Sequence, residues 1–153
     1  MHETEALHIR RLTAEDLEPL HRLLSDPAVM RHLEPPFTRA QTEAFLQKAG
    51  MGREPLIRAV EDGRGFAGYV IYHPYDETSM ELGWVLASDR WGRGYALALT
   101  RQMICRARES GRDAVIECHP QQAATRHIAE KLGFRPCGMD GGCCVYRLAG
   151  KNE

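Results

Sequence analysis

Apolar residues along this chain follow two spacings, every second residue in short runs and every third or fourth residue in longer ones. The first spacing is typical of strands and the second of amphipathic helices. The strand-like runs cover residues 6–12, 56–61, 66–73, 78–86, 114–118, 134–137 and 143–148. The helical runs cover residues 13–24, 38–49, about 90–110 and 122–132. The resulting order, βααβββαβαββ, predicts the α+β class, a mixed α/β arrangement with a mostly antiparallel sheet of about six or seven strands flanked by about four helices.

Local signals predict where some of these elements begin and end. Thr38 and Gln41 form a capping-box pattern at the start of the second helix. Residues 62–65 and residues 74–77 are rich in turn formers and predict two connections between neighbouring strands. Residues 138–142 carry three glycines and predict the turn between the last two strands.

Length and charge narrow the class of protein. The chain has 153 residues and a formal net charge of −1. This length predicts one domain, residues 1–153, with a core of its own. The balanced charge argues against general binding to nucleic acid or to a membrane surface. No apolar run approaches the roughly 18 residues that span a bilayer, and the acidic, polar residues 1–5 argue against a signal peptide.

The cysteines argue against metal and disulfide chemistry. There are five, an odd number, and no two of them form a Cys-x-x-Cys pair. Neither a zinc site nor a disulfide framework is therefore supported. Reduced thiols are the simpler interpretation, so we expect a cytoplasmic protein without a bound metal.

The strongest chemical signal is the segment 90–96, Arg-Trp-Gly-Arg-Gly-Tyr-Ala, where a strand passes through a turn into a helix. Small residues allow close approach to the backbone, and the first N–H groups of a helix attract phosphate. Arg90 and Arg93 would add positive charge. The segment lacks the Gly-Lys-Ser/Thr ending of a Walker A loop, and Leu97 stands where a dinucleotide fingerprint needs its third small residue. An ordinary glycine-rich turn is the alternative.

The remaining pattern, Gly92-x-Gly94-x-Ala96 after a strand, resembles the acyl-CoA-binding motif of the GNAT acetyltransferase superfamily. Residues 117–134 are similar to the next part of that family, a strand that leads through a short helix into Glu-Lys-Leu-Gly-Phe. The resemblance spans about residues 7–148 and is closest to the RimJ/RimL-like branch, which acetylates protein N-terminal amines. It implies the GNAT fold for the whole chain.

This resemblance implies an acetyl-CoA-dependent N-acetyltransferase that acts by direct transfer, without a metal. The acceptor would be a primary amine, on a protein N-terminus or a small molecule, and the protein would be a monomer or a homodimer. The alternative is a non-catalytic acyl-CoA sensor or interaction module of the same fold. Gln122 favours that alternative, because the family usually has an Asn there that contacts the cofactor.

The resemblance also implies which residues contact acetyl-CoA. The pyrophosphate would lie on the glycine turn, and the backbone of the preceding strand would pair with the pantetheine arm and supply the oxyanion donor. Gln122 and Thr125 would contact the cofactor from the later helix. The complete predicted set is Trp84, Val85, Leu86, Trp91, Gly92, Arg93, Gly94, Tyr95, Ala96, Leu97, Gln122 and Thr125.

Acetyl transfer also needs a base for the amine and an acid for the thiolate. Glu81 is the candidate base, directly or through water, because family members often place a carboxylate on this strand; Glu117 is the rival. Thr125 is the candidate acid, since it aligns with a serine of the RimL-like enzymes, and Tyr146 is the weaker alternative. Covalent catalysis by Cys118 is disfavoured, because the adjacent His119 would point to the opposite face of a strand.

The acceptor half of the reaction is weakly encoded. His32 and Glu34, on the loop after the first helix, could line an acceptor slot. We expect residues 26–38 and 138–144 to form that slot, and their sequence gives little indication of the acceptor. The strand that includes residues 141–144 could also pair with a second subunit.

Overall fold

A computed structural model of the chain describes residues 7–150, and its elements follow the predicted order. The strands are β1 (His8–Arg10), β2 (Ile57–Asp62), β3 (Gly65–Asp76), β4 (Ser79–Leu86), β5 (Asp113–Cys118), β6 (Arg135–Asp140) and β7 (Cys143–Leu148). The helices are α1 (Leu17–Leu24), α2 (Pro27–Met30), α3 (Arg39–Phe45), α4 (Tyr95–Glu109) and α5 (Ala123–Lys131). The α+β class is thus confirmed.

The strands form one seven-stranded sheet in the order β1-β2-β3-β4-β5-β7-β6. The pairs β1–β2, β2–β3, β5–β7 and β6–β7 are antiparallel, whereas β4 and β5 are parallel. The parallel ladder joins residues 79–81 to residues 113–115 and places Glu81 beside Val115. Because alternate residues of a strand share a face, Glu81 and Glu117 project from the same face of the sheet.

The chain divides into two compact units, and the first contains the residues up to Ile71 together with Trp84–Tyr95. Helix α1 buries Leu20, Leu23 and Leu24 in the hydrophobic core of this first unit. The predicted capping box at the start of α3 is present, because the Thr38 hydroxyl accepts from the Gln41 N–H at 3.1 Å and the Gln41 side chain accepts from the Thr38 N–H at 2.8 Å. The helix then continues as a π-helical turn, Leu46–Gly50.

The second unit contains Tyr72–Gly83 and the residues from Ala96 onward. Its core includes Leu99, Met103 and Ala107 of α4, which are spaced four residues apart on one face and are almost completely buried. Arg147 on β7 donates to Asp113 at 2.9 Å and to Asp76 at 3.2 Å. Glycines at residues 141 and 142, with φ of 56° and 86°, make the tight turn between β6 and β7.

Four local predictions were wrong. Residues 138–140 belong to β6, so the turn before β7 is shorter than the sequence predicted. Residues 74–76 continue β3, and the turn comes later because the Asp76 carboxylate accepts from the Thr78 N–H at 2.9 Å and the Ser79 hydroxyl at 2.7 Å. The loop after α1 contains the short helix α2, which is capped by Asp26. Strand β7 lies between β5 and β6, so both of its edges are already paired and it offers none to a second subunit.

Within residues 7–150, no helix is both long and apolar enough to cross a membrane.

Candidate active site

The glycine turn has the backbone geometry that the sequence predicts. Gly92 and Gly94 have φ of 75° and 80°, in the left-handed region that glycine adopts without strain. The 15-residue helix α4 begins at Tyr95, directly after the turn, so its first N–H groups have no acceptor within the helix. Within residues 7–150, and apart from its two chain neighbours, a Cβ built on Gly92 would meet no atom within 4 Å. The space beside this turn is therefore open to an anionic group.

A buried carboxylate, Asp62 at the end of β2, holds this turn in place. It accepts from Nε of Arg90 at 2.8 Å and from the other guanidinium arm at 3.0 Å. It also accepts from the Tyr95 hydroxyl at 2.8 Å and the Arg64 N–H at 2.9 Å. The Arg90 guanidinium and these other donors hold the pKa of Asp62 far below its usual value, against the opposing effect of burial.

This anchor corrects the expectation that Arg90 adds positive charge for a phosphate. The Arg90 side chain is 8% exposed, and its charge is matched by Asp62 and by Asp89 at 3.0 Å. The Tyr95 side chain is likewise buried against Asp62, so its contribution to a ligand would come from the backbone. Arg93 is exposed on the turn itself.

The strand that leads into the turn is tied to it by Trp91. The Trp91 indole N–H donates to the Leu86 carbonyl at 3.0 Å, while half of the side chain stays exposed. Val85 and Leu86 are buried, and Trp84 is half-buried. Strand β3 approaches β4 so closely that a Cβ on Gly68 would lie 2.1 Å from the Val85 carbonyl oxygen. Only glycine fits at residue 68, and this contact fixes the backbone of β4.

Glu81, the candidate base, lies beside a histidine that the sequence did not single out. Glu81 Oε1 is 3.7 Å from Nε2 of His73, and each side chain is 24% exposed. The other ring nitrogen of His73, Nδ1, lies 3.0 Å from the Pro74 carbonyl oxygen. Burial raises the pKa of Glu81, the neighbouring imidazole opposes that rise, and the charge of Glu117 adds to it.

Glu117, the rival carboxylate, is engaged by Tyr75. The Tyr75 hydroxyl donates to Glu117 at 2.7 Å, and this bond is the main reason that the pKa of Tyr75 rises to about 12. His73 and Tyr75 are two residues apart on β3 and share a face. The predicted strand 66–73 already contained His73, and extending it past Pro74 would have placed Tyr75 on the same face.

The two residues predicted on the later helix lie at its start. Thr125 is the third residue of α5, half-buried, and its hydroxyl makes no hydrogen bond within residues 7–150. Gln122 immediately precedes α5, and its side-chain oxygen accepts from the His119 N–H at 2.8 Å. The amide nitrogen of Gln122 therefore points away from this bond. The roles of Thr125 and Gln122 toward a cofactor stay predictions.

The other candidates occupy less suitable places. Tyr146 is buried, and its hydroxyl is 3.5 Å from Glu130. Burial raises the pKa of the Cys118 thiol to about 11, so it carries little thiolate at neutral pH. His32 is half-buried and Glu34 exposed, in the segment after α2. No group of three or more His, Cys, Asp or Glu side chains in the described part of the chain is arranged to hold a metal ion.

Comparison with known proteins agrees with this geometry. A family model described as an acetyltransferase (GNAT) domain matches residues 6–135. YnaD of Bacillus subtilis, an uncharacterized N-acetyltransferase, is 26% identical over 145 residues, which cover 92% of this chain and 85% of the relative. The structure of spermidine N-acetyltransferase from Vibrio cholerae, in complex with CoA and spermine, has a TM-score of 0.75 at 21% identity over 94% of each chain. Ribosomal-protein-alanine N-acetyltransferase from Brucella melitensis has a TM-score of 0.70 at 22% identity, over 93% of this chain and 99% of that one. These two likenesses show a shared fold.

Proposed function

The chain belongs to the GNAT acetyltransferase family, and we propose that it transfers an acetyl group directly from acetyl-CoA to a primary amine. The protein is an acetyltransferase enzyme rather than the non-catalytic sensor that the sequence also allowed. We propose that residues 1–153 act as one acetyltransferase domain. Reduced thiols fit a cytoplasmic enzyme, which we propose as its location.

The observation that carries the proposal is the turn at Gly92 and Gly94, where two left-handed residues open a long helix. The N–H groups at the start of this helix suit the pyrophosphate of acetyl-CoA, with the exposed Arg93 on the same turn. Trp91, Ala96 and Leu97 flank the same groups. The pantetheine arm would follow the backbone of residues 84–86, which would also donate to the oxyanion. Gln122 would add an amide contact.

In this proposal Glu81 is the general base of the reaction and Thr125 is the general acid. At neutral pH a polyamine nitrogen near pKa 10 is almost fully protonated, and an α-amine near pKa 8 is mostly protonated. The protonated form has no lone pair for attack, so a base must take its proton. The raised pKa of Glu81 makes it a stronger base than an exposed carboxylate. The leaving thiolate gains a proton from the Thr125 hydroxyl, which takes the second proton of the attacking amine in return. This hydroxyl is not otherwise hydrogen-bonded within residues 7–150.

The acceptor is a protein N-terminus or a small-molecule amine. The sequence motifs resemble those of the RimJ/RimL-like branch, and we propose a protein N-terminal amine on that ground. The structural relatives include one enzyme named for spermidine and one named for a ribosomal-protein alanine, so both kinds of amine belong in the test. The oligomeric state that we propose is a monomer or a homodimer.

A thiol-release assay tests this function. Acetyl-CoA is incubated with the enzyme and either spermidine or a peptide that begins with alanine, and free CoA thiol is measured with a chromogenic disulfide. Thiol release that depends on the amine, with the mass of the acetylated amine found by mass spectrometry, supports the proposal. Tight CoA binding without thiol release from any primary amine would contradict it.

A further inference from the structure

The tautomer of His73 is determined by its surroundings. A backbone carbonyl can only accept a hydrogen bond, so Nδ1 of His73, 3.0 Å from the Pro74 oxygen, must carry a proton. In the neutral imidazole the other nitrogen, Nε2, then holds a lone pair. That lone pair faces Oε1 of Glu81 across 3.7 Å. When the imidazole is neutral, two hydrogen-bond acceptors therefore face each other.

The distance between these two atoms is informative. A gap of 3.7 Å is too long for a direct hydrogen bond. A donor group with two hydrogens can span it, with its nitrogen about 2.9 Å from each acceptor. A primary ammonium is such a group, and it is the form in which an acceptor amine arrives at neutral pH.

We propose that His73 is a catalytic residue of the acetyl transfer: Nε2 takes the proton from the acceptor ammonium, while Glu81 binds that ammonium and then stabilises the imidazolium. This inference rests on the proposed function. It moves the final position of the proton from Glu81 to His73, a residue that the sequence did not single out.

The proton balance is complete without any further reactant. The ammonium, R–NH3⁺, gives one proton to Nε2, which leaves neutral R–NH2 and an imidazolium paired with the Glu81 carboxylate. The amine attacks the thioester, and its second proton ends on the CoA sulfur when the C–S bond breaks. The imidazolium then returns its proton to water, which it can reach because the His73 side chain is 24% exposed.

Proton affinity favours the imidazole over the carboxylate. An ordinary imidazole is about 100-fold more basic than an ordinary carboxylate, so its pKa lies closer to that of an alkyl ammonium, near 10. Burial reduces this difference in basicity, because it raises the pKa of Glu81. Glu117 on β5 acts on Glu81 with a like charge, and the titratable groups near these carboxylates include Tyr75 on β3, Asp140 on β6 and Cys143 on β7.

The decisive experiment is a pH–rate profile of His73→Gln, which keeps a polar side chain that cannot titrate. At pH 7.5 we expect kcat/KM to fall by about 10²–10⁴, the range for loss of a general base. Near pH 10 the deficit should shrink, because the free amine there supplies its own lone pair. The profile is measured by thiol release with spermidine and with an alanine-initiated peptide. His127→Gln, an exposed histidine on α5, is the matched control and should keep the wild-type profile.

The outcomes separate this inference from the proposed function. A deficit of His73→Gln that is the same at pH 7.5 and pH 10, or no deficit, overturns the role of His73 while the enzyme remains an acetyltransferase. No amine-dependent turnover by the wild-type enzyme contradicts the proposed function instead. Long-range ¹H–¹⁵N NMR then decides the geometry: a neutral imidazole at residue 73 with its proton on Nδ1 supports the assignment, and a proton on Nε2 overturns it.

Discussion

Asp62 and Arg90 form a two-point contact in which both carboxylate oxygens meet the guanidinium, and the two side chains are only 3% and 8% exposed. The contact joins the end of β2 to Arg90, two residues before Gly92 of the glycine turn. It stabilises the turn without contributing charge to a ligand.

Replacing Asp62 with Asn should be strongly destabilising. The change leaves a buried guanidinium without its main charge partner, which typically costs about 3–5 kcal/mol of unfolding free energy. Urea denaturation at pH 7 measures the loss. Asp89→Asn is the matched control, because Asp89 meets the same guanidinium but is 64% exposed, and its removal should cost less than about 1 kcal/mol. Equal losses for the two variants would show that the buried contact contributes no more to the unfolding free energy than the exposed one.

The same pair predicts how stability depends on acid. The pKa of Asp62 is lowered in the folded protein, so its stabilisation is fully present above the ordinary value near pH 4. It is lost as the pH falls through the lowered value. The loss of unfolding free energy below pH 4 should therefore be smaller in Asp62→Asn than in the wild type, as measured by urea denaturation at several pH values.

Replacing Gly94 with Leu should abolish CoA binding. Gly94 adopts φ of 80°, and a bulky side chain there would strain the turn and occupy the approach to the helix N–H groups. Gly111→Leu controls for strain alone, because Gly111 follows α4 with φ of 71° and a Cβ there meets no atom within 4 Å. Isothermal titration calorimetry with CoA should show normal affinity for Gly111→Leu and no binding by Gly94→Leu. Normal affinity for both variants would show that the turn is not part of the cofactor site.

Replacing Glu81 with Gln should lower kcat by about 10²–10⁴ while the dissociation constant for CoA stays nearly unchanged. Glu81 must be ionised to act, and burial raises its pKa, so the wild-type rate should fall as the pH drops through that raised value. Glu77→Gln removes an exposed carboxylate from the nearby turn and should leave the rate unaltered. Wild-type turnover by Glu81→Gln at every pH would exclude Glu81 from the mechanism.

Replacing Thr125 with Val, which keeps the shape and removes the hydroxyl, should lower kcat by about 10²-fold or more if the hydroxyl protonates the thiolate. Thr125→Ser should retain most of the activity. Tyr146→Phe should have little effect, since that hydroxyl is buried and 3.5 Å from Glu130. A large loss for Tyr146→Phe with none for Thr125→Val would reverse the two assignments. Thiol-release kinetics at saturating acetyl-CoA distinguish these outcomes.

Features set by neighbouring residues could be predicted from the sequence. The capping box of Thr38 and Gln41 and the helix after Gly94 depend on residues a few positions apart, and both are present. The order of strands and helices could also be predicted, because each element carries its own hydrophobic spacing.

Contacts between distant parts of the chain could not be predicted in this way. The guanidinium of Arg90 could have met a phosphate or an acid, and its partner Asp62 lies 28 residues away. Pro74 was interpreted as a turn signal, yet near the end of a strand the missing N–H of proline is tolerated. That interpretation shortened β3 and left Tyr75, the partner of Glu117, outside the strand. His73 was already inside the predicted strand, but no local signal showed that it faces Glu81.

The two outer strands of the sheet also affect how the protein behaves at high concentration. Within the described residues, β1 is three residues long, while β6 carries Pro136 and a shift in register between Pro136 and Met139. Short, kinked or proline-bearing borders offer no continuous row of hydrogen-bonding groups to a neighbouring molecule. The sheet should therefore resist growth by strand addition, and any homodimer should associate through side chains rather than through an extended sheet.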